Sequence, residues 1–361
     1  MNLTRREFGR LAGVAALAGM LPETQAEERS IGWCIVGLGR ISMGHFMPGV
    51  KQSSTGRIVA LVSGHRPKAA QQAAMYGVSD KAIYSYEDYD RIAENKAIDA
   101  VYIALPNGMH AEYTIRAAKA GKHVLCEKPM CTSVSDGQAM IDASRTANKK
   151  LMIAYRCQYE PVNLKAVELI RTGAVGQVQA IESAFGFNIR AGEWRLDRKL
   201  SGGGPLMDVG IYCLNACRYL TSEEPDNIYA NSSVIDHDGR FTSVEENVGW
   251  TMKFPSGIVA SCNTTYGGSM NGFYRVHGSK GMIELSPAFN YEGIHLVADL
   301  GGGQRIDMPE TARDPSQFTT QADYFAGCIR NDKEPKSDGE EGLRDMKLMS
   351  RIYQAAGLPG L

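Results

Sequence analysis

Residues 31–42 read IGWCIVGLGRIS, an apolar run that meets a glycine pair and then enters a helix-forming segment. The run 31–36 has the composition and length of a buried strand, and Gly37 permits a tight turn directly after it. Gly39 has no side chain to hold its backbone away from a phosphate, and the following helix would point N–H groups at that phosphate. This order of strand, glycine turn and helix predicts a Rossmann dinucleotide-binding unit.

The cofactor candidates begin in this turn and continue at the end of the second predicted strand, 58–63. Ser42 stands where the fingerprint has Gly or Ala, and serine is small enough for the close packing required there. No Asp or Glu follows the second strand to bind the ribose hydroxyls of NAD; Ser63, Arg66 and Lys68 suit a 2′-phosphate instead, which predicts NADP. The turn itself contributes Gly37, Leu38, Gly39, Arg40 and Ile41.

Short apolar runs alternate with helical segments as far as residue 154, which predicts βαβ units and a parallel sheet. The strands are expected at 31–36, 58–63, 100–105, 123–126 and 151–154, and the helices at 67–76, 110–120 and 135–148.

After residue 155, strands recur about every ten residues with tight turns, which favours a mostly antiparallel sheet. Strands are expected there at 178–187, 227–235, 246–254, 257–266, 272–277 and 281–285, and helices at 161–171, 206–220, 318–329 and 341–355. The predicted fold class is therefore α/β. A Rossmann domain at 27–155 precedes an α+β domain at 156–361, whose open sheet would serve substrate binding and homo-oligomerisation.

Residues 1–26 have the features of a twin-arginine signal peptide. Arg5-Arg6 precede an apolar run at 11–21 that is too short to span a bilayer, and 24–26 form a small-residue cleavage site. We expect export in the folded state to the periplasm by the twin-arginine machinery, with no membrane association afterwards. The alternative is a cytosolic N-terminus that contains an arginine pair. An exported enzyme cannot draw on cytosolic nicotinamide, so it would have to carry its dinucleotide with it.

The composition argues against several other functions. The net charge is −1 over 361 residues, about −2 without residues 1–26, and no basic tract stands out, so nucleic acid is not an expected partner. Eight cysteines lack C-x-x-C pairs and zinc spacing. We expect no structural metal and mostly buried thiols, while one or two disulfides stay open.

The candidate cofactor-contacting and catalytic residues lie after two predicted strands and on one face of a predicted helix. Leu105 and Asn107 end the strand at 100–105 and would line the nicotinamide crevice. His110 would either contact the cofactor or cap a helix. Lys128 follows the strand at 123–126 and would point into the same crevice, unless it is an exposed loop lysine.

Asp208 and Tyr212 are four residues apart on a predicted helix, so both lie on one face. Hydride transfer from an alcohol to a nicotinamide needs a base for the hydroxyl proton, and Tyr212 is the candidate. Lys128 would stabilise the phenolate by its charge, and Asp208 would position the substrate. A core tyrosine on a buried helix is the alternative for Tyr212.

The elements Cys126-Glu127-Lys128-Pro129 and Asp208-Val209-Gly210-Ile211-Tyr212 are the specific ones by which the chain resembles the Gfo/Idh/MocA oxidoreductases, in particular their glucose–fructose oxidoreductase branch. Supporting similarity covers nearly the whole mature chain, at 35–39, 61–64, 99–103, 105–107, 121–124, 155–157, 194–196, 202–204, 206–208, 210–212 and 339–342.

The resemblance implies NADP as cofactor, with Glu127 and Lys128 beside it and Lys128, Asp208 and Tyr212 as the catalytic set. Many members of the family have histidine where Tyr212 stands, and tyrosine matches the branch. Arg156 would face the substrate or the nicotinamide, with a surface salt bridge as the alternative. Trp194 and Arg195 would stack on and clamp a sugar, unless Trp194 only packs.

The expected function is an NADP-dependent sugar oxidoreductase with two half-reactions, in which an aldose is oxidised at C1 to a lactone and a second sugar is reduced to a polyol. The branch has a long arm before its first strand, whereas only about five residues separate the predicted cleavage site from Ile31 in this chain, so permanent retention of NADP stays open. Three alternatives also stay open: a one-way NADP-dependent aldose dehydrogenase, an NAD-dependent glycosidase of the same family and a non-catalytic sensor. The missing acid after the second strand and Tyr212 both argue against the glycosidase.

Overall fold

The strand quoted first is the centre of a parallel sheet. In a computed structural model, which describes residues 30–361, Ile31–Val36 form a fully buried strand, β1. The predicted signal peptide at 1–26 lies outside the described residues. Five further strands complete this sheet, which has the order β3-β2-β1-β4-β5-β6. They are β2 (Gly56–Val62), β3 (Ile83–Tyr84), β4 (Ala100–Ile103), β5 (His123–Cys126) and β6 (Leu151–Ile153).

All pairs in the first sheet are parallel, and their order reverses at β1, as in a doubly wound dinucleotide-binding fold. The sequence predicted every one of these strands except the two-residue β3. Four helices connect them: α1 (Met47–Gln52, directly after a π-helical turn at Ser42–Phe46), α2 (Arg66–Tyr76), α3 (His110–Lys119) and α4 (Val134–Thr146). Helix α4 is capped by Ser133, whose side chain accepts from the N–H of Asp136, two residues before the predicted start at 135.

The second sheet has eight strands in the order β14-β13-β12-β11-β7-β10-β9-β8, and every pair is antiparallel except β7 with β10. This confirms the predicted α/β fold with a mostly antiparallel second sheet. The strands are β7 (Val178–Gly186), β8 (Asn227–Ser233), β9 (Asn247–Lys253), β10 (Val259–Thr265), β11 (Met270–Gly278), β12 (Met282–Leu285), β13 (His295–Asp299) and β14 (Arg305–Pro309). The sequence did not predict β13 and β14.

The remaining helices are α5 (Pro161–Arg171), α6 (Arg198–Ser201), α7 (Ile211–Thr221, directly after a π-helical turn at Leu206–Gly210), α8 (Ser316–Arg330) and α9 (Gly339–Ala355). The last two pack back onto the first sheet. Thr319 on α8 donates to the carbonyl of Gly49, and the N–H of Ile153 on β6 donates to the carbonyl of Ser337, just before α9. The two sheets therefore share one continuous hydrophobic core. Across residues 30–361, no helix combines the length and apolarity needed to cross a bilayer.

Candidate active site

The glycine turn after β1 leaves room for a phosphate at one position and none at the other. Gly37 has φ +90°, and a Cβ there would lie 2.4 Å from the carbonyl oxygen of Ala104. A Cβ at Gly39 would meet nothing within 4 Å. The buried hydroxyl of Ser42 donates to the carbonyl of Gly37 at 2.6 Å, so serine closes the turn from the position of the third fingerprint residue. The open space at Gly39, in front of a helix N-terminus, fits a dinucleotide pyrophosphate.

The other turn residues differ in what they offer to a ligand. Leu38 is buried, and its carbonyl accepts from Lys68 Nζ at 2.9 Å. The side chain of Arg40 is 86 % exposed and forms a 3.8 Å ion pair with Glu193, so it is available to an anionic group. Ile41 is half-buried and packs against the core.

The polar side chains after β2 bind two different parts of the molecule. The Ser63 hydroxyl accepts from the N–H of His65 at 3.1 Å, and Lys68 reaches the glycine turn through Leu38. Arg66 instead donates to the carbonyls of Ile83 and Asp80 at 3.1 and 3.2 Å. Lys68, beside the glycine turn, could bind a ribose phosphate, and so could Ser63, whereas Arg66 is held against the neighbouring loop. His65, which the sequence analysis did not select, is exposed and caps α2.

The segment after β4 is held by its own polar side chains. His110 is 1 % exposed, and its two ring nitrogens face the carbonyls of Leu105 and Pro129, each at 2.9 Å. Burial lowers the pKa of His110. Asn107 is also buried and donates to the carbonyl of Ser201 at 2.7 Å. The side chains of His110 and Asn107 therefore link loops around the crevice and are buried beneath its surface. Leu105 is buried as well.

Glu127 follows β5 and is fixed by a tyrosine from β4. Its Oε1 accepts from Tyr102 Oη at 2.6 Å, and the ring of Tyr102 stacks on Phe46, 3.6 Å between centroids. Burial raises the pKa of the Glu127 carboxyl, against the hydrogen bond from Tyr102 and the charge of Lys128. A carboxyl group thus stands at the carboxyl end of β5, next to the lysine.

Asp208 is the meeting point of the predicted catalytic groups. Lys128 Nζ lies 2.6 Å from its carbonyl oxygen and 3.4 Å from Oδ1, while Oδ2 accepts from Arg195 Nε and Tyr266 Oη, both at 2.9 Å. Burial raises the pKa of Asp208, but the charges of Lys128 and Arg195 and the Tyr266 hydrogen bond outweigh it, so that pKa lies below its ordinary value. Asp208 is therefore an ionised acceptor at the centre of the site.

Tyr212 lies beside two cations. Lys128 Nζ is 4.8 Å from the centroid of its ring, and the guanidinium carbon of Arg156 is 5.2 Å from the same centroid. Burial raises the pKa of the Tyr212 hydroxyl well above its ordinary value, and the charge of Arg156 opposes that rise most. We predicted Lys128 in that role. In the structure Lys128 faces the ring and bonds Asp208, and Arg156 is the cation that acts most on the phenol.

Arg156 is itself buried, with 4 % of the residue exposed. It donates to the carbonyl of Asn290 at 2.9 Å, to Gln317 Oε1 at 2.6 Å and to the carbonyl of Phe289. It is therefore not the surface salt bridge that was the alternative. Its place is beside Tyr212, where it also fixes the loop after β12.

Comparison with known proteins agrees with this geometry. Residues 31–155 match the family model described as an oxidoreductase family with an NAD-binding Rossmann fold, GFO_IDH_MocA, and residues 163–284 match the GFO/IDH/MocA C-terminal domain. The chain belongs to the Gfo/Idh/MocA oxidoreductase family.

Within the Gfo/Idh/MocA family, the crystal structure of an aldose–aldose oxidoreductase from Caulobacter crescentus, complexed with glycerol, is similar at 42 % identity and a TM-score of 0.88; the match covers 91 % of this chain and 98 % of that one. A D-xylose 1-dehydrogenase (NADP(+)) of Haloarcula marismortui is 31 % identical over 350 residues, 92 % of this chain and 93 % of the relative. A second D-xylose 1-dehydrogenase (NADP(+)), from Haloferax volcanii, is 29 % identical over 324 residues, 89 % of this chain and 96 % of the relative.

The Gfo/Idh/MocA site also contains groups that the sequence analysis missed. Glu245 is buried and accepts from the N–H of Gly204 at 2.9 Å and of Leu206 at 3.4 Å, and from Tyr353 Oη at 2.8 Å. It therefore caps the π-helical turn that carries Asp208. Neither Glu245 nor Tyr266 belongs to a local motif, so no pattern in the sequence marked them.

Trp194 and Arg195 form one half-buried unit beside Asp208. The Arg195 guanidinium carbon lies 4.7 Å from the centroid of the Trp194 ring, while Arg195 Nε binds Asp208. The ring therefore orients the arginine and leaves Arg195 in contact with the Asp208 carboxylate. All eight cysteines are buried and free, and within 30–361 no cluster of His, Cys, Asp and Glu could hold a metal ion.

Proposed function

We propose that this chain is an NADP-dependent sugar oxidoreductase that oxidises an aldose at C1 to a lactone and reduces a second sugar to a polyol, with NADP(H) as the bound carrier. The observation that carries the proposal is the position of Lys128, which binds Asp208 and faces Tyr212 at the carboxyl end of β5. The similarity to an aldose–aldose oxidoreductase supports the pairing of two sugars.

Several residues are placed to hold the cofactor. The open space at Gly39 would take the pyrophosphate, and Ser63, Lys68 and Arg40 would surround the adenosine phosphates. The relatives named as NADP(+) enzymes agree with the prediction of NADP from the missing acid after β2. When bound, the nicotinamide would supply a hydride acceptor for one sugar and a hydride donor for the other.

The remaining chemistry is the transfer of a proton to and from the sugar oxygen. Oxidation of the C1 hydroxyl releases a proton from that oxygen, and reduction of a second carbonyl requires one. The raised pKa of Tyr212 keeps its hydroxyl protonated, which suits donation to the acceptor carbonyl. In the oxidation, Lys128 and Arg156 would stabilise the phenolate that takes the proton, because both lie within about 5 Å of the ring.

Asp208 would orient the substrate. Its carboxylate is ionised and held by Arg195 and Tyr266, so its position is fixed before a sugar arrives. A fixed anionic acceptor binds sugar hydroxyls with little loss of conformational freedom.

Purified protein incubated with two sugars and without added cofactor tests the paired reaction. We expect a lactone and a polyol in equal amounts, measured by chromatography. If product forms only after NADP⁺ is added, and only as lactone, the one-way dehydrogenase is correct instead. The xylose dehydrogenases among the relatives favour that second candidate.

We also propose export to the periplasm, supported by Arg5-Arg6, the short apolar run and the small-residue site before residue 27. Replacing both arginines by lysine should leave the protein in the cytosolic fraction. Homo-oligomerisation through the open sheet stays a prediction, to be measured by light scattering.

A further inference from the structure

Another tyrosine reaches the site from a loop in which the sequence analysis selected no residue. Tyr291 lies between β12 and β13, and its ring centroid is 4.5 Å from the guanidinium carbon of Arg156. Arg156 contacts Tyr212 as well, at 5.2 Å. The two tyrosines therefore share one buried cation, although they are 79 positions apart in the chain.

The loop that carries Tyr291 is fixed at its backbone. Arg156 donates to the carbonyls of Phe289 and Asn290, and Gln317 Nε2 donates to the carbonyls of Asn290 and Tyr291 at 3.2 and 3.0 Å. Gln317 is buried, so these bonds are shielded from water. The position of the Tyr291 backbone is thus set by the same arginine that faces Tyr212.

The ring of Tyr291 also contacts the nucleotide-binding part of the chain. It lies 4.1 Å from the His45 ring, between centroids, and His45 Nδ1 is 2.8 Å from Asp314 Oδ2. His45 belongs to the π-helical turn that follows the glycine turn. Tyr291 therefore packs between the cofactor-binding helix and Arg156, at the boundary where a sugar would meet a nicotinamide.

The charged groups of the site affect the pKa of the Tyr291 hydroxyl. Burial raises the pKa of Tyr291 to about 12, Tyr212 and Glu127 also raise it, and Arg156 and Lys128 lower it. Despite these neighbours, 36 % of the residue is exposed. A tyrosine with a fixed backbone, a packed ring and part of its surface exposed is suited to bind a ligand through its hydroxyl.

We propose that Tyr291 contacts the sugar substrate directly and determines which hydroxyl pattern the site accepts. The proposal rests on the sugar oxidoreductase function proposed above. Its basis is that a site which hydrogen-bonds one substrate hydroxyl discriminates against the analogue lacking it, since the polar group of the protein is then left without a partner.

Tyr291→Phe tests the hydroxyl, and Tyr291→Leu tests the ring. KM and kcat are measured on the mature chain with glucose, xylose and 2-deoxyglucose, and NADP affinity is measured by tryptophan fluorescence. We expect Tyr291→Phe to raise KM about fivefold for at least one sugar and to leave kcat and NADP affinity within twofold. The KM of the sugar that lacks the contacted hydroxyl should not change. The ratio of the kcat/KM values of the two sugars should therefore become smaller.

Tyr229→Phe is the matched control, because Tyr229 is 73 % exposed on β8. Equal KM values for wild type and Tyr291→Phe with all three sugars would overturn the inference while leaving the proposed function intact. Loss of NADP affinity in Tyr291→Phe would also overturn it, since Tyr291 would then serve the cofactor. If wild type oxidises no sugar, the proposed function fails first and the inference fails with it.

Discussion

Lys128 Nζ binds Asp208 twice, at 2.6 Å through the backbone carbonyl and at 3.4 Å through the carboxylate. Lys128 follows a strand of the parallel sheet, whereas Asp208 lies on the π-helical turn before α7. A single ammonium group therefore joins the nucleotide-binding part of the molecule to the helix that carries Tyr212. The same contact that places a positive charge in the site also fixes Lys128 relative to Asp208.

Replacing Lys128 by methionine should reduce kcat by about 100-fold, because both the charge beside Tyr212 and the bond to Asp208 are lost. Methionine keeps the length of the side chain, so the melting temperature should change little by comparison. Lys119→Met is the control, since Lys119 is exposed on α3. Steady-state rates of sugar oxidation provide the measurement. A Lys128→Met enzyme with more than a tenth of the wild-type kcat would contradict the assigned role.

Arg195→Gln should change the pH dependence of the reaction. Arg195 lowers the pKa of Asp208, so its removal raises that pKa, and protonation of Asp208 then begins at a higher pH. The acidic limb of the kcat/KM profile should therefore move upward by about one pH unit. Arg57→Gln, at an exposed position on β2, should leave the profile unchanged. An acidic limb that stays in place would mean that Asp208 is not the group observed.

Lys68→Met should weaken NADP binding about tenfold and leave NAD binding nearly unchanged, because only NADP has a 2′-phosphate for the ammonium group to bind. Arg66→Met should have a smaller effect, since Arg66 is held by the carbonyls of Ile83 and Asp80. Fluorescence titration with both nucleotides measures the difference. Equal losses for NAD and NADP would show that Lys68 only supports the glycine turn through Leu38.

The sequence predicted most of the fold because its strands are either buried Val/Ile runs or regularly alternating segments. The exceptions are short or irregular. Strand β3 has two residues, and β13 and β14 flank the hairpin at Gly301–Gly303, where three glycines with positive φ resemble a loop in the sequence. The folding back of α8 and α9 onto the first sheet also had no local signal, because it depends on tertiary packing.

The site was predictable where chemistry coincides with a local motif. Lys128, Asp208 and Tyr212 belong to the two short elements that carry the family resemblance, and Lys128 directly follows a strand, so the sequence identified all three. Tyr266 and Tyr291 come from other parts of the second sheet and acquire their roles through contacts made across long stretches of chain. His110 shows the opposite case, since its position suggested a ligand contact but both ring nitrogens face backbone carbonyls.

Glu245→Gln tests whether the turn that carries Asp208 depends on its cap. The amide would lose the negative charge that faces the N–H groups of Gly204 and Leu206, and its NH₂ group would need a new acceptor. We expect a loss of about 2 kcal/mol in the free energy of unfolding and a reduced kcat. Glu94→Gln, at an exposed position, is the control. Unchanged stability would show that the turn holds without this cap.

Asp345 on α9 should make stability depend on pH in a direction opposite to that of most carboxylates. It is fully buried, and its Oδ1 and Oδ2 accept from Arg218 and Asn215, with Glu341 bound to the same arginine. Burial raises its pKa from 3.8 to about 6, against the charge of Arg218. Between about pH 4 and pH 6 the unfolded chain therefore loses this proton while the folded chain keeps it, and stability falls as pH rises.

Asp345→Asn should remove that fall. The difference in the free energy of unfolding, variant minus wild type, should increase by about 2 kcal/mol from pH 4 to pH 7, whatever the absolute cost of the substitution. Urea unfolding at both pH values measures the difference, with Asp226→Asn at an exposed position as the control. If the two proteins differ by the same amount at both values, Asp345 is ionised throughout this range, and Arg218 rather than burial determines its charge.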